Sequence, residues 1–218
     1  GNGLVADAQI IATQATQEEM AGFNPRMLAD LSSSYKQMGD NGAFLYETMG
    51  RKFDFSGVDK VTLPNRTFEK SLSFEVGDKV VKLIDLGPAH TVSDTIVWVP
   101  GDRVVFTGDL LFNEGHPIMW AGPVENWIAA CEYIIALDPV VVVPGHGPIT
   151  DIQAVRGLQT YFEYIRDETR KRFAAGLDFE AAARDINMAE YRRWSDPERI
   201  VANVFSLYRQ WGANFTPD

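Results

Sequence analysis

Hydrophobic and polar positions alternate most clearly over residues 67–86, within "TFEKSLSFEVGDKVVKLIDLG". A period of two predicts a hairpin, with its bend at Gly77 and Asp78. Two further runs, "DTIVWVP" (94–100) and "DRVVFTG" (102–108), read as strands joined by the turn "PGD". The run "VVVV" (140–143) is continuously apolar. It predicts a short strand buried on both faces, stopped and turned by Pro144 and Gly145. "AQIIAT" (8–13) reads as another short buried strand. Residues 16–52 look helix-like, with Asn24 as a cap and Pro25 in the first turn of "NPRMLADLSSSYKQMG". The period turns helical again at "PVENWIAACEYIIAL" (123–137). A long amphipathic helix is predicted over 151–175, and Asp196-Pro197 introduces a last one over 197–211. Strands interleaved with helices, some joined as hairpins, predict an α/β (α+β) layered sandwich. With no repeat and no linker, residues 1–218 read as a single domain whose C-terminal helices begin near 151.

Composition narrows the function by exclusion. Among 218 residues, 30 are acidic and 20 basic, a net charge of -10. Phosphate-backbone binding rests on clustered Lys and Arg, so neither a nucleic acid nor an anionic membrane surface is expected as a partner. No apolar run approaches the roughly 20 residues that span a bilayer. The chain holds one cysteine, which rules out an internal disulfide framework and a Cys-rich metal site. Cys131 lies in a helical pattern and is expected to be a small buried apolar residue. The helices of 16–52 carry Phe, Met and Tyr side chains, which suit ordinary packing or a lid over substrate. A cytoplasmic location is expected.

The candidate chemistry lies at strand ends. Of three histidines, His90 follows the run "KLIDLGPA" and His146 follows "VVVVPG"; between them "RVVFTG" presents Asp109. Three predicted strands thus run into small-residue turns carrying His, Asp and His. Sheet-end loops are where α/β proteins assemble sites. Imidazole and carboxylate together suit zinc, with iron or manganese as alternatives. Taken singly, each has a plainer reading, as a backbone-bonded loop histidine or a turn-capping aspartate. The recurrence at three strand ends favours metal ligation.

"GPAHTVSD", "FTGDLLF" and "VVPGHGP", in this order and spacing, resemble the third, fourth and fifth metal motifs of the metallo-β-lactamase-fold hydrolases. The resemblance covers most of residues 8–175 and implies a four-layer αββα sandwich with metals at one edge of its sheets. It implies that His90 ligates a first metal, that Asp109 bridges two, and that His146 ligates the second. Two zinc ions and a metal-bound hydroxide attacking a small ester, thioester, lactone or amide are the implied chemistry, with Asp109 as the catalytic bridge. The single C-terminal helical segment is similar to the glyoxalase-like branch. The family places the loop "FNEGHPIMWAG" beside the active-site mouth, which gives His116 and Trp120 as candidate substrate contacts. His116 is equally readable as an ordinary loop residue. The family's His-x-His-x-Asp-His motif has no counterpart in the sequence, so the resemblance implies an N-terminally incomplete chain that begins just downstream of it. Two other readings stay open: a catalytically incompetent fragment or metal-poor binding module, and a di-iron redox protein needing an electron-carrying partner. The expected partner is a small acyl substrate; oligomeric state is not legible.

Overall fold

The computed structural model describes residues 2–5, 7–26, 30, 46, 51, 57, 60–119 and 121–212. Contacts divide the chain into two compact units, Gly1–Phe68 and Glu69–Asp218. In the first, strand β1 (Ile11–Thr13) pairs in parallel with β2 (Arg66–Phe68). Helix α1 (Gln14–Gly22) starts at Thr13, whose hydroxyl accepts the Thr16 amide, as an N-cap requires. The Asn65 side chain ties the unit together, accepting from the Ile10 amide and donating to the Ala8 carbonyl. The predicted cap at Asn24 is present, its Oδ1 accepting the Arg26 amide at 3.1 Å. Most of the proposed lid over 16–52 lies outside the described residues.

The second unit is built on one five-stranded sheet in the order β3-β4-β5-β6-β7. Strands β3 (Ser71–Val76) and β4 (Lys79–Asp85) form the expected hairpin. Its bend falls at Gly77, whose φ of 62° suits a residue without Cβ. Strand β5 (Thr95–Val99) continues the antiparallel order into β6 (Val104–Phe112). Only β6 and β7 (Val141–His146) run parallel. A parallel pair needs a crossover connection, and the one here carries helix α2 (Val124–Ala136). Helix α2 packs on β6 and on α3 (Ile152–Ala174), the long helix predicted from the sequence. Asp151 caps α3 by accepting the Gln153 amide at 2.7 Å.

The C-terminal portion adds α4 (Phe179–Asp185), a 3-10 turn at Ala189–Arg193, another at Pro197–Arg199, and α5 (Ile200–Gln210). Helix α4 and the turn after it had no signal in the sequence, because elements this short show no readable period. Helix α5 packs on α3 and α4. Trp127, Tyr161, Phe162, Ile96, Leu110 and Leu207 are fully buried at the centre of the core. Cys131 is also buried, as expected, and burial pushes its thiol up to about 12. Among the described residues no helix is long and apolar enough to cross a membrane.

Two expectations need correction. The valine run is not buried on both faces: Val142 is buried, whereas Val140 is exposed and Val141 and Val143 are half-buried. Side chains alternate between faces, and the face carrying Val141 and Val143 is shared with the exposed Phe106 of β6 and is only partly covered among the described residues. Nor does Pro144 end the strand. Pairing continues with irregular register through Gly108↔Pro144 to Phe112↔His146. A proline without an N–H is tolerated at a sheet edge beside a bulge.

Candidate metal centre

Strand β6 does more than the sequence pattern implies. Its inward positions alternate regularly up to Thr107, and then Gly108 adopts φ 52°. Register with β7 shifts on both sides of that glycine. A bulge of this kind re-aims the following side chain, and that side chain is Asp109. After it, Leu110, Leu111 and Phe112 are all buried. Asp109 therefore projects from within a strand, not from a loop.

Gly145 explains the glycine before the second histidine. A Cβ added there would lie 2.1 Å from Asp109 Oδ1 and 2.6 Å from the Gly108 carbonyl carbon. Only a residue without a side chain lets β7 pass so close to the carboxylate. Gly147, at φ 90°, lies equally tight against the Asn113 carbonyl. The Asn113 amide donates to the His146 carbonyl at 2.9 Å and fixes the end of β7. The His146 ring stacks on Phe112 with centroids 4.4 Å apart and planes 8° apart. Phe112 also touches His90, tilted at 5.7 Å, so one buried ring steadies both imidazoles.

His90 sits in the turn that follows β4. The Asp94 carboxylate organises this turn by accepting the Ala89 and Thr91 amides and the Thr91 hydroxyl. The start of the crossover pins it from outside: Gly122 donates to the Ala89 carbonyl and Asn126 to the Pro88 carbonyl. His90 Nδ1 lies 3.0 Å from the Ile118 carbonyl. A carbonyl only accepts, so Nδ1 holds the proton and Nε2 carries the lone pair in the neutral ring.

The three predicted side chains meet. His90 Nε2 lies 3.3 Å from Asp109 Oδ2, and His146 Nε2 lies 3.4 Å from Asp109 Oδ1. His90 is the most enclosed of the three and His146 the most open, with side-chain exposures of 14% and 54%. A lone pair facing a carboxylate oxygen is unfavourable unless a proton or a cation lies between them.

Residues 1–146 match the model of the Metallo-beta-lactamase superfamily. The chain belongs to that superfamily. It is 27% identical over 115 residues to the Beta-lactamase-like protein 2 homolog of Caenorhabditis elegans, covering 53% of this chain and 36% of that protein. It is 35% identical over 85 residues to an uncharacterized protein of Mycobacterium leprae (strain TN), covering 37% of this chain and 39% of that one. The chain thus spans well under half the length of either relative. Among solved structures, the stereoselective inverting sec-alkylsulfatase from Pseudomonas sp. aligns with a TM-score of 0.64 at 12% identity, over 97% of this chain and 38% of that one. At that identity the likeness is one of fold, and it agrees with the predicted α/β sandwich.

Metallo-beta-lactamase superfamily members typically bind metal ions, and the donor set allows a test of fit. Two ligand atoms about 2.0–2.2 Å from a tetrahedral ion are separated by roughly 3.3–3.6 Å. Both imidazole–carboxylate separations fall in that window. The His90 Nδ1–carbonyl bond is the usual outer support of a ligating histidine. Each carboxylate oxygen has its own imidazole, so the residues describe two half-sites sharing one aspartate. Correspondingly, among the described residues no three His, Cys, Asp or Glu side chains surround a single point as a full cage would.

The other site expectations fare differently. His116 is fully buried and its ring nitrogens are engaged, Nδ1 with the Tyr161 hydroxyl and Nε2 with the Tyr191 carbonyl, each at 3.0 Å. Burial lowers its pKa, against a smaller opposing effect of the Tyr191 carbonyl. This corrects the substrate-contact expectation, since a ring with no exposed surface and both nitrogens bonded internally cannot meet a ligand from solvent. Trp120 lies outside the described residues. Sequence reasoning missed Phe112 and Ile118, which had no signal of their own. Asp94 did have one: an aspartate four residues after His90, in a Gly-Pro turn, is placed to cap that turn.

Proposed function

We propose that this chain supplies the metal-holding sheet edge of a dinuclear hydrolase acting on a small ester, thioester, lactone or amide. The observation carrying this reading is that two imidazole Nε2 atoms face the two oxygens of one carboxylate at 3.3 and 3.4 Å. His90 would hold a first ion, His146 a second, and Asp109 both, with zinc the best match to these donors. When bound, such ions supply Lewis acidity and a water acidic enough to be a nucleophile near neutral pH. The protein's own residues hold the frame. Asp109 sets the spacing between the two positions, and its charge lowers the net positive charge there. His90 is held in one tautomer by the Ile118 carbonyl. Phe112 excludes water from behind both imidazoles and keeps their rings from turning. His146, more open, stands on the side from which a substrate can approach.

A second reading has one observation in its favour. Each half-site offers one imidazole and one carboxylate oxygen, against the three or four protein donors that zinc sites normally use. A metal-poor binding module of the same fold would look like this. Zinc titration of the metal-stripped chain, followed by metal analysis and assay against p-nitrophenyl acetate, a thioester and a lactone, separates the two. Two ions per chain and hydrolysis of at least one substrate support the hydrolase. One weakly held ion or none, with no turnover, supports the module and ends the hydrolase reading for this chain.

A further inference from the structure

The Ile118 carbonyl that receives His90 belongs to the peptide group joining Ile118 to Met119. The amide N–H of that same peptide, Met119 N, donates to Asn203 Oδ1 at 3.1 Å. Asn203 is fully buried on helix α5, beyond the segment matched by the superfamily. Its Nδ2 donates to the Pro117 carbonyl at 2.9 Å and to the Tyr161 hydroxyl oxygen at 3.1 Å. The side chain thus grips the backbone on both sides of Ile118.

We propose that Asn203 is a positioning residue for His90, acting through the Ile118–Met119 peptide plane. A peptide group is planar, so holding its N–H on one edge fixes where its C=O points on the other. An N–H that donates also polarises its own carbonyl, making it a better acceptor for His90 Nδ1. The orientation of the Asn203 amide is itself determined. A flip would set its NH2 against the Met119 N–H and its oxygen against the Pro117 carbonyl. The Tyr161 hydroxyl, receiving the second amide hydrogen and donating to His116 Nδ1, completes the brace. Ser206 on the same helix donates to the Met119 carbonyl at 2.7 Å, so α5 holds the residue after Ile118 at a further point. The outcome is a His90 whose Nε2 lone pair faces Asp109 before any ion arrives.

This inference concerns the tautomer of His90, and its importance for zinc rests on the proposed function. The two can be tested apart. In the metal-free full chain, 15N NMR at a pH well above the ordinary histidine pKa of about 6.5 should show His90 protonated on Nδ1 alone. Asn203→Leu keeps the branched shape and removes the grip. It should give a mixture of both tautomers and weaken zinc binding at least about tenfold, the range for outer-shell partners of metal ligands. Asn203→Asp keeps an acceptor for the Met119 amide and should retain the Nδ1–H tautomer. Tyr161→Phe should lower stability but leaves both Asn203 bonds to the 117–119 backbone, so the His90 tautomer should not change. A shift as large as that of Asn203→Leu would show a merely structural role and overturn the proposal. Wild-type His90 protonated on Nε2 would overturn the proposal, even if Asn203→Leu does not fold. So would a folded Asn203→Leu protein with unchanged His90 signals. If the tautomer responds to Asn203→Leu but wild-type protein binds no zinc, the positioning role stands and the metal-centre reading falls.

Discussion

His90 follows β4 and His116 follows β6, each in a turn containing glycine and proline, and they have opposite fates. His90 spends one ring nitrogen on a backbone carbonyl and keeps the other facing a carboxylate near solvent. His116 spends both nitrogens inside the core, on a tyrosine hydroxyl and a carbonyl. The difference is not the residue or its local sequence but what packs against it. Helix α3 and the turn at Ala189–Arg193 supply both partners of the His116 ring, Tyr161 and Tyr191. Nothing in the described structure consumes His90 Nε2 or His146 Nε2 except Asp109. A histidine is available for chemistry only where the fold leaves a nitrogen unspent.

The comparison can be broken most severely at Asp109. Asp109→Ala removes the group common to both half-sites, and we expect zinc uptake to fall at both. Any hydrolysis should drop about a thousandfold, equivalent to about 4 kcal/mol of lost stabilisation. Metal analysis and steady-state assay check this, while the melting temperature should change little because the carboxylate is partly exposed. Next is Gly145→Ala, which forces a Cβ to within 2.1 Å of Asp109 Oδ1 and displaces either the carboxylate or β7. Zinc affinity should weaken about a hundredfold, or about 2.7 kcal/mol, by calorimetric titration. Gly157→Ala is the matched control. An added Cβ there meets nothing within 4 Å, and helix α3 should gain about 0.5–1 kcal/mol in urea unfolding.

On the buried side, Tyr161→Phe leaves His116 Nδ1 without a donor and one Asn203 amide hydrogen without an acceptor. A loss of about 1–3 kcal/mol is expected in urea unfolding, with zinc affinity changed only slightly. The smallest effect is on pH dependence. His116 has a lowered pKa in the folded state, so below its ordinary value of about 6.5 the unfolded chain binds the proton first. Stability is therefore fully present above that pH and declines as pH falls toward the depressed folded value. His116→Gln should flatten the slope of melting temperature against pH in that window. An unchanged slope would place the acid sensitivity elsewhere.

Much of this organisation was legible in the residues. The hairpin, the long helix α3 and the meeting of His90, Asp109 and His146 followed from local period, turn chemistry and motif. What escaped was non-local. The bulge at Gly108 depends on how β6 and β7 share register, which no period within one strand reveals. The exposure of the valine run depends on what covers each face of the sheet, which the run itself does not show. His116 looked like a mouth residue because its partners come from Tyr161 and Tyr191, 45 and 75 positions further on. Asn203 had no signal at all, since an asparagine inside a helical pattern gives no hint of a backbone segment 84 positions away.

The lacing of β6 to β7 has a final consequence. Those strands are joined at Gly108↔Pro144 below Asp109 and at Phe112↔His146 above it. The distance between the aspartate and the second histidine is therefore inherited from a hydrogen-bonded ladder and cannot widen without unzipping it. His90 hangs on a separate turn. A cation of different radius in the His146 half-site would meet a jaw of fixed width, so discrimination among ions would reside there, where the ladder sets the spacing.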